Sequence, residues 1–218
     1  MRHAVTVLAG QLAVMAYGVT DTLVAGRVSS EALAALSVGS AIYISVFVAL
    51  MGVVQALLPI WAELHGANKP KELGRSVRQA LYLCLFTIAA GVALLLFPAP
   101  LLRWTQVPPA LQSEVAGYLA VLALALPPAL LFRAYSTLNQ ALGKPVLVTW
   151  IQIGSLAFKV PLSVVLALGA PALGIPSLGL PGCAWATVVV NYSMLALAIL
   201  LVRGADLYRP YRIWKRPE

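Results

Sequence analysis

The sequence predicts an all-α integral membrane protein, a bundle of six transmembrane helices. Three observations carry that class. Of the 218 residues, 61% are hydrophobic and only 10% charged, whereas soluble domains run at about 45–50% apolar and about 25% charged. The mean hydropathy is +0.90, and a soluble sphere of this size could not hide so much apolar surface. Six stretches approach the ~20 apolar residues that a helix needs to cross the ~30 Å hydrocarbon core. The same figures exclude disorder, because disordered chains are polar and highly charged. Cys84 and Cys183 both lie inside apolar runs, which excludes a disulfide framework or a zinc knuckle.

The predicted spans follow in order. The first, 4–25, carries Asp21 near its end and is too long for a cleavable signal. Gly26 to Glu31 separates it from the second, 33–62. The turn Gly66-Ala67-Asn68-Lys69-Pro70 precedes the third, 77–97, and Pro108-Pro109 precedes the fourth, 115–142. Gly143-Lys144-Pro145 introduces the fifth, 146–168, and the loop 170–181 introduces the sixth, 180–202. Residues 1–203 thus form one six-helix domain, and 204–218 a basic tail. Barrel strands would alternate over ~10 residues, but these runs are continuous and rich in Leu and Ala.

Orientation follows from the basic residues. Eleven Lys and Arg fall on one side of the predicted bundle, only Arg27 and Arg103 on the other, and Arg133 and Lys159 within spans. The imbalance places both termini in the cytoplasm. The net charge of +8 therefore reflects membrane topology, and no nucleic-acid partner is expected. Trp61, Trp104, Tyr118 and Trp214 read as interfacial belt residues. Arg133, with Lys144, reads as an anchor near the cytoplasmic end of the fourth span.

Ionisable groups inside a span are costly and mark interiors or water-filled cavities. Lys159 is the fourteenth residue of the fifth span, ~20 Å deep at ~1.5 Å per residue. Gln152, Ser155, Lys159 and Ser163 recur at spacings of three, four and four, which places them on one helical face. Asp21 lies ~26 Å along the first span, and Thr187 lies ~20 Å from the cytoplasmic side of the sixth. Asp21, Lys159, Ser163 and Thr187 therefore occupy one level on three helices, and Asn191 extends the group inward. Plainer readings exist: Asp21 capping its loop or pairing with Arg27, a fixed structural Asp21–Lys159 pair, and hydroxyls bonded back to their own helices. Tyr17, Tyr43 and Trp150 are candidates to line a cavity for a flat cation, or face lipid. His3 and His65 form no metal pattern, and no nucleophile elbow or P-loop occurs. No enzymatic activity, cofactor or metal centre is expected.

Four segments carry a family resemblance. The run from Gly10-Gln11-Leu12 through Tyr17-Gly18-Val19-Thr20-Asp21 to Gly26-Arg27-Val28-Ser29 resembles the first helix of the multidrug and toxic-compound extrusion (MATE) family, closest to its NorM-like bacterial branch. Pro59-Ile60-Trp61-Ala62-Glu63-Leu64-His65-Gly66-Ala67 resembles the second-helix segment "P-x-x-A-Q-x-x-G-A", with Glu63 at the Gln place. Lys159-Val160-Pro161-Leu162-Ser163 resembles "N-x-P-L-N/D", and Gly182-Cys183-Ala184-Trp185-Ala186-Thr187 resembles "G-x-G-x-A-T". Order and spacing match over essentially the whole chain.

The resemblance implies an antiporter of the bacterial inner membrane that exports organic-cation drugs in exchange for H⁺ or Na⁺. It implies two six-helix lobes facing each other across a cleft. The implied coupling residues are Asp21, Lys159, Ser163 and Thr187; Gln11, Tyr17, Gln152, Ser155 and Asn191 are further cavity candidates. A Na⁺ site would fall at Asp21. Lys159 stands where many members have asparagine, and its ammonium would repel Na⁺, so H⁺ coupling is favoured. Protonation of Asp21 would then break an Asp21–Lys159 pair and bend the first helix. The tail 209–218 resembles the middle of the linker between lobes, so the chain reads as a truncated N-terminal half that needs a second lobe. The rival readings are a non-transporting remnant or assembly subunit, and an intramembrane enzyme acting on lipid.

Overall fold

A computed structural model describes residues 2–105, 107–169, 176–204 and 206–211. Among them the elements are α1 (Arg2–Val28), α2 (Ser30–Gln55), α3 (Leu57–Gly66), α4 (Pro70–Leu96), α5 (Ala99–Trp104), α6 (Pro109–Ala141), α7 (Val146–Leu168) and α8 (Leu180–Gly204). A short 3₁₀ helix, Asp206–Tyr211, follows. Among the described residues, five helical stretches are long and apolar enough to cross a membrane: Ser30–Gly66, Pro70–Leu96, Pro109–Ala141, Val146–Leu168 and Leu180–Gly204. The 27-residue α1 packs beside α7 and also touches α2 and α8. The predicted all-α class and six-membered bundle are observed.

Local chemistry explains the boundaries. Ser29 is extended (φ −167°), and its side chain accepts from the Ala32 N–H at 2.9 Å, capping α2. The break after Gly66 uses Asn68 in the left-handed region (φ 55°), a conformation Asn tolerates. Gly143 (φ 67°) follows the end of α6 in the same region, the usual glycine stop. Pro70 and Pro109 open α4 and α6, where a missing N–H costs nothing.

Three predicted boundaries need correction. The second span is not one helix: α2 ends at Gln55, and α3 starts at Leu57. The cause is Pro59, which has no N–H for the Gln55 carbonyl four residues back and whose ring crowds that oxygen. The third and fourth spans begin at Pro70 and Pro109, earlier than predicted, because each proline starts a helix before its apolar stretch. The short α5, between Pro98 and Pro108, was not anticipated.

The most buried helix is α6, which packs against α2, α4, α3 and α8. Leu119, Leu126 and Leu130 on α6 are fully buried. Tyr118 stacks into the space at Gly39, where a Cβ would come 2.6 Å from the ring. Tyr118 and Trp61 are therefore core residues, not interfacial belt residues: Trp61 is 1% exposed and donates to Ser76 Oγ at 3.1 Å. The side chain of Trp104, and Trp214, lie outside the described residues. The perimeter is apolar instead, with Leu23, Phe86 and Leu200 well exposed, as lipid-facing side chains require.

Candidate functional site

α1 and α7 run side by side in parallel register. Gly10 lies against Gln152, where a Cβ would clash with the Gln152 amide oxygen. Eleven residues further along each helix, Asp21 lies against Ser163. Helical spacing does the rest. Tyr17 and Asp21 are one turn apart on α1, and Ser155, Lys159 and Ser163 are successive turns of α7.

The result is a buried ion pair. Lys159 Nζ lies 2.7 Å from Asp21 Oδ2, with Lys159 2% and Asp21 8% exposed. Ser163 donates to Asp21 Oδ1 at 3.3 Å, so α7 engages both carboxylate oxygens. The ammonium also sits over the Tyr17 ring, 4.7 Å from its centroid. The Tyr17 hydroxyl hydrogen-bonds Ser155 Oγ, and Ser155 donates to the Gln152 carbonyl at 2.7 Å. Polar contacts thus run unbroken from Gln152 to Asp21 along one helix interface.

Beyond the pair the site is closed by apolar packing. Val24, one turn past Asp21, and Ala167, one turn past Ser163, cluster with the buried Cys183 of α8. A charge pair in such surroundings has a large desolvation penalty, which only good geometry and further hydrogen bonds offset. The 2.7 Å separation and the Ser163 contact supply both.

The predicted residues divide into two groups. Asp21, Lys159 and Ser163 come together, joined by Tyr17 and Ser155, with the buried Gln152 beside them. Thr187 and Asn191, both on α8, are engaged elsewhere. Thr187 donates to the Cys183 carbonyl of its own helix at 3.1 Å, and Asn191 donates across to the Ala125 carbonyl of α6 at 3.4 Å. The Asn191 bond reaches the turn just before Pro127-Pro128, where two backbone donors are missing. The side chain of Gln11 lies outside the described residues. Tyr43 stacks on Phe47 of its own helix, and Trp150 is 69% exposed on the bundle perimeter. Sequence reasoning missed the seal of Val24, Ala167 and Cys183. The one available signal was the small size of Ala167 and Cys183 at helical spacing from polar sites. Among the described residues, no group of three His, Cys, Asp or Glu could hold a metal ion.

Comparison with known proteins gives the family of the chain. The family model MatE matches residues 7–165. The chain belongs to the MatE family. The probable multidrug resistance protein NorM of Aromatoleum aromaticum is 37% identical over 99% of this chain and 47% of its own length. The multidrug resistance protein PmpM of Pseudomonas aeruginosa is 33% identical over 99% of this chain and 45% of its own length. The crystal structure of the Vibrio cholerae MATE transporter VcmN in the bent form superposes with a TM-score of 0.85. It is 17% identical and covers 97% of this chain and 47% of that chain. This MatE-family chain therefore spans about half the length of the relatives it matches, and it has the fold of the corresponding half of the solved transporters.

Proposed function

We propose that this chain is the N-terminal lobe of a cation-coupled multidrug exporter, which passes organic cations outward in exchange for inward H⁺. The observation that carries this reading is the buried Asp21–Lys159 pair at the α1–α7 interface. A carboxylate held by an intramolecular ammonium has its cation position already filled. Entry of Na⁺ would require Lys159 to leave, whereas a proton needs only a path to the carboxylate. Protonation of Asp21 removes the negative charge and leaves the Lys159 ammonium buried without its counter-ion. That state is costly, and it relaxes by separating α1 from α7. Gly18, on the open side of α1 between Tyr17 and Asp21, has nothing within 4 Å of a Cβ position, so the helix has room to bend there. Relatives named as multidrug resistance proteins and a family of two-lobed transporters support drug export by alternating access. A second lobe, in the same polypeptide or another, completes the cleft.

The experiment is drug-stimulated proton flux in proteoliposomes made with the native product, with a Na⁺ gradient as the comparison. Export driven by an inward proton gradient, independent of Na⁺ and lost in Asp21→Asn, is the expected result. If Asp21→Asn leaves pH-driven export unchanged, the pair is structural and the coupling assignment is wrong. If the native product binds and moves no organic cation under either gradient, the lobe is a non-transporting assembly subunit.

A further inference from the structure

Asp21 lies close to one end of α1 and far from the other. Seven residues, about 10 Å, separate it from Val28, and nineteen, about 28 Å, separate it from Arg2. The short way is the closed one. Val24 and Ala167, one turn beyond the pair, cluster with Cys183, and all three are buried. The segment leading into α8 folds over them. The Leu178 and Gly179 N–H groups donate to the Leu166 and Ala167 carbonyls, each at 3.0 Å, and tie off the end of α7. Gly179 turns in the left-handed region (φ 61°), with Val28 Cγ1 3.8 Å from its Cβ position. Gly182 sets its backbone directly on the Leu166 carbonyl. An apolar layer and a backbone layer thus separate the carboxylate from the nearer surface. A buried water needs about two to four polar partners, and the side chains of the apolar layer offer only the Cys183 thiol.

The long way is polar. From Lys159 the α7 face that meets α1 continues through Ser155 and Gln152 to Thr149, in the first turn of the helix. The Thr149 hydroxyl donates to the Pro145 carbonyl at 3.3 Å. Tyr17 joins this face through its bond to Ser155 and is half-buried, whereas the four α7 residues are buried. Among the described residues, the titratable groups acting on Asp21 or acted on by it are Lys159 of α7, Tyr118 of α6 and Cys183 of α8. Tyr17, one turn away on α1, stands behind the Lys159 ammonium. Tyr118 is packed against Gly39 of α2, and Cys183 sits in the apolar layer. The side of Lys159 and Tyr17 is the one left for a proton.

We propose that Asp21 in the paired state exchanges its proton with one side only, along the Tyr17–Ser155–Gln152 seam. Val24, Ala167 and Cys183, covered by residues 178–182, are the gate that closes the other side. The proton leaves the Asp21 carboxyl for a water on the Tyr17 side, Lys159 keeps its charge, and the new carboxylate closes on the ammonium. Intramembrane acids with such polar lining are the usual stations of proton relays. The seam leads to the end that the basic residues assign to the cytoplasm, so the paired state is the one reached after inward release. This direction rests on the proton-coupled reading above; the one-sided access is a property of the lobe itself.

Thiol labelling tests the access. The native product carrying Cys84→Ala is reconstituted in vesicles, in alkaline buffer on both sides and without drug. It is treated from each side with the impermeant reagent 2-sulfonatoethyl methanethiosulfonate. Lys71→Cys and Glu31→Cys mark the two sides, and mass spectrometry locates the label. Ser155→Cys should be modified from the Lys71 side alone, and Cys183 from neither. Modification of Ser155→Cys from the Glu31 side, or from neither side, overturns the route; modification of Cys183 overturns the gate. Proton flux gives a second reading. Val24→Ser, or Ala167→Ser if that variant does not fold, should raise drug-free proton flux severalfold, and adding Asp21→Asn should abolish the rise. Flux unchanged in both serine variants also overturns the gate. Because labelling needs no transport, proton-driven export with a reactive Cys183 would remove the gate and leave the coupling reading, and the reverse result would remove the coupling reading alone.

Discussion

Lys159 on α7 and Asp21 on α1, 138 positions apart in the chain, meet at 2.7 Å in a site almost closed to solvent. Both charges are buried between the two helices. Each is tolerated there because of the other, which makes the pair a constraint on how α1 and α7 sit.

Breaking the pair from one side should therefore differ from replacing it whole. Lys159→Ala or Asp21→Ala should lower stability by about 3–5 kcal/mol, since each leaves an uncompensated buried charge. The double variant Asp21→Leu/Lys159→Met should regain most of that loss. Thermal unfolding in detergent reads both. Proton-driven export should be absent in all three, which separates a coupling role from a stabilising one.

Tyr17 contributes through its ring and through its hydroxyl. Tyr17→Phe keeps the ring over the ammonium and loses the Ser155 bond, at an expected cost of about 0.5–1.5 kcal/mol. Tyr17→Leu also loses the ring and should cost about a further 0.5–2 kcal/mol. A midpoint that is the same for the two variants would show that the ring contributes nothing.

Two glycines hold backbone against backbone. A Cβ on Gly182 would lie 2.5 Å from the Leu166 carbonyl oxygen, and one on Gly74 would lie within contact of the Tyr211 backbone. Neither neighbour is the free end of a side chain, so the helices themselves must move. Gly182→Ala should cost about 1–3 kcal/mol by overpacking. Gly74→Ala should free the 206–211 helix, seen as faster amide exchange there with the rest of the bundle unchanged.

The second lobe is also open to measurement. Intact mass spectrometry of the native product should give either about twice the 23.0 kDa of this chain, or 23.0 kDa with a cross-linked partner of similar size. A product of 23.0 kDa that cross-links to nothing would remove the basis for a two-lobed cleft.

Much of this was legible in the residues themselves. Apolar run length specified the spans, because the bilayer leaves only that solution to a backbone with no water to bond. The three-and-four spacing of Gln152, Ser155, Lys159 and Ser163 placed them on one face, and depth arithmetic brought Asp21 to their level. Pro59, whose effect on Gln55 is a local steric one, was readable as well, although an unbroken 33–62 span was expected.

Tertiary structure decided what depth could not. Depth arithmetic put Thr187 level with Asp21, yet its hydroxyl donates to the Cys183 carbonyl of its own helix, and α8 packs chiefly on α6 and α7. Trp61 and Tyr118 have the composition of belt residues, yet both are buried. An aromatic near a span end satisfies either environment, and only a neighbour such as Ser76 or Gly39 selects one. Sequence alone determined which segments are helices in lipid and which polar residues share a level, since both follow from distance along one helix. Which of those residues touch was decided by the rotation and approach of helices far apart in the chain, and that depends on every side chain between them at once.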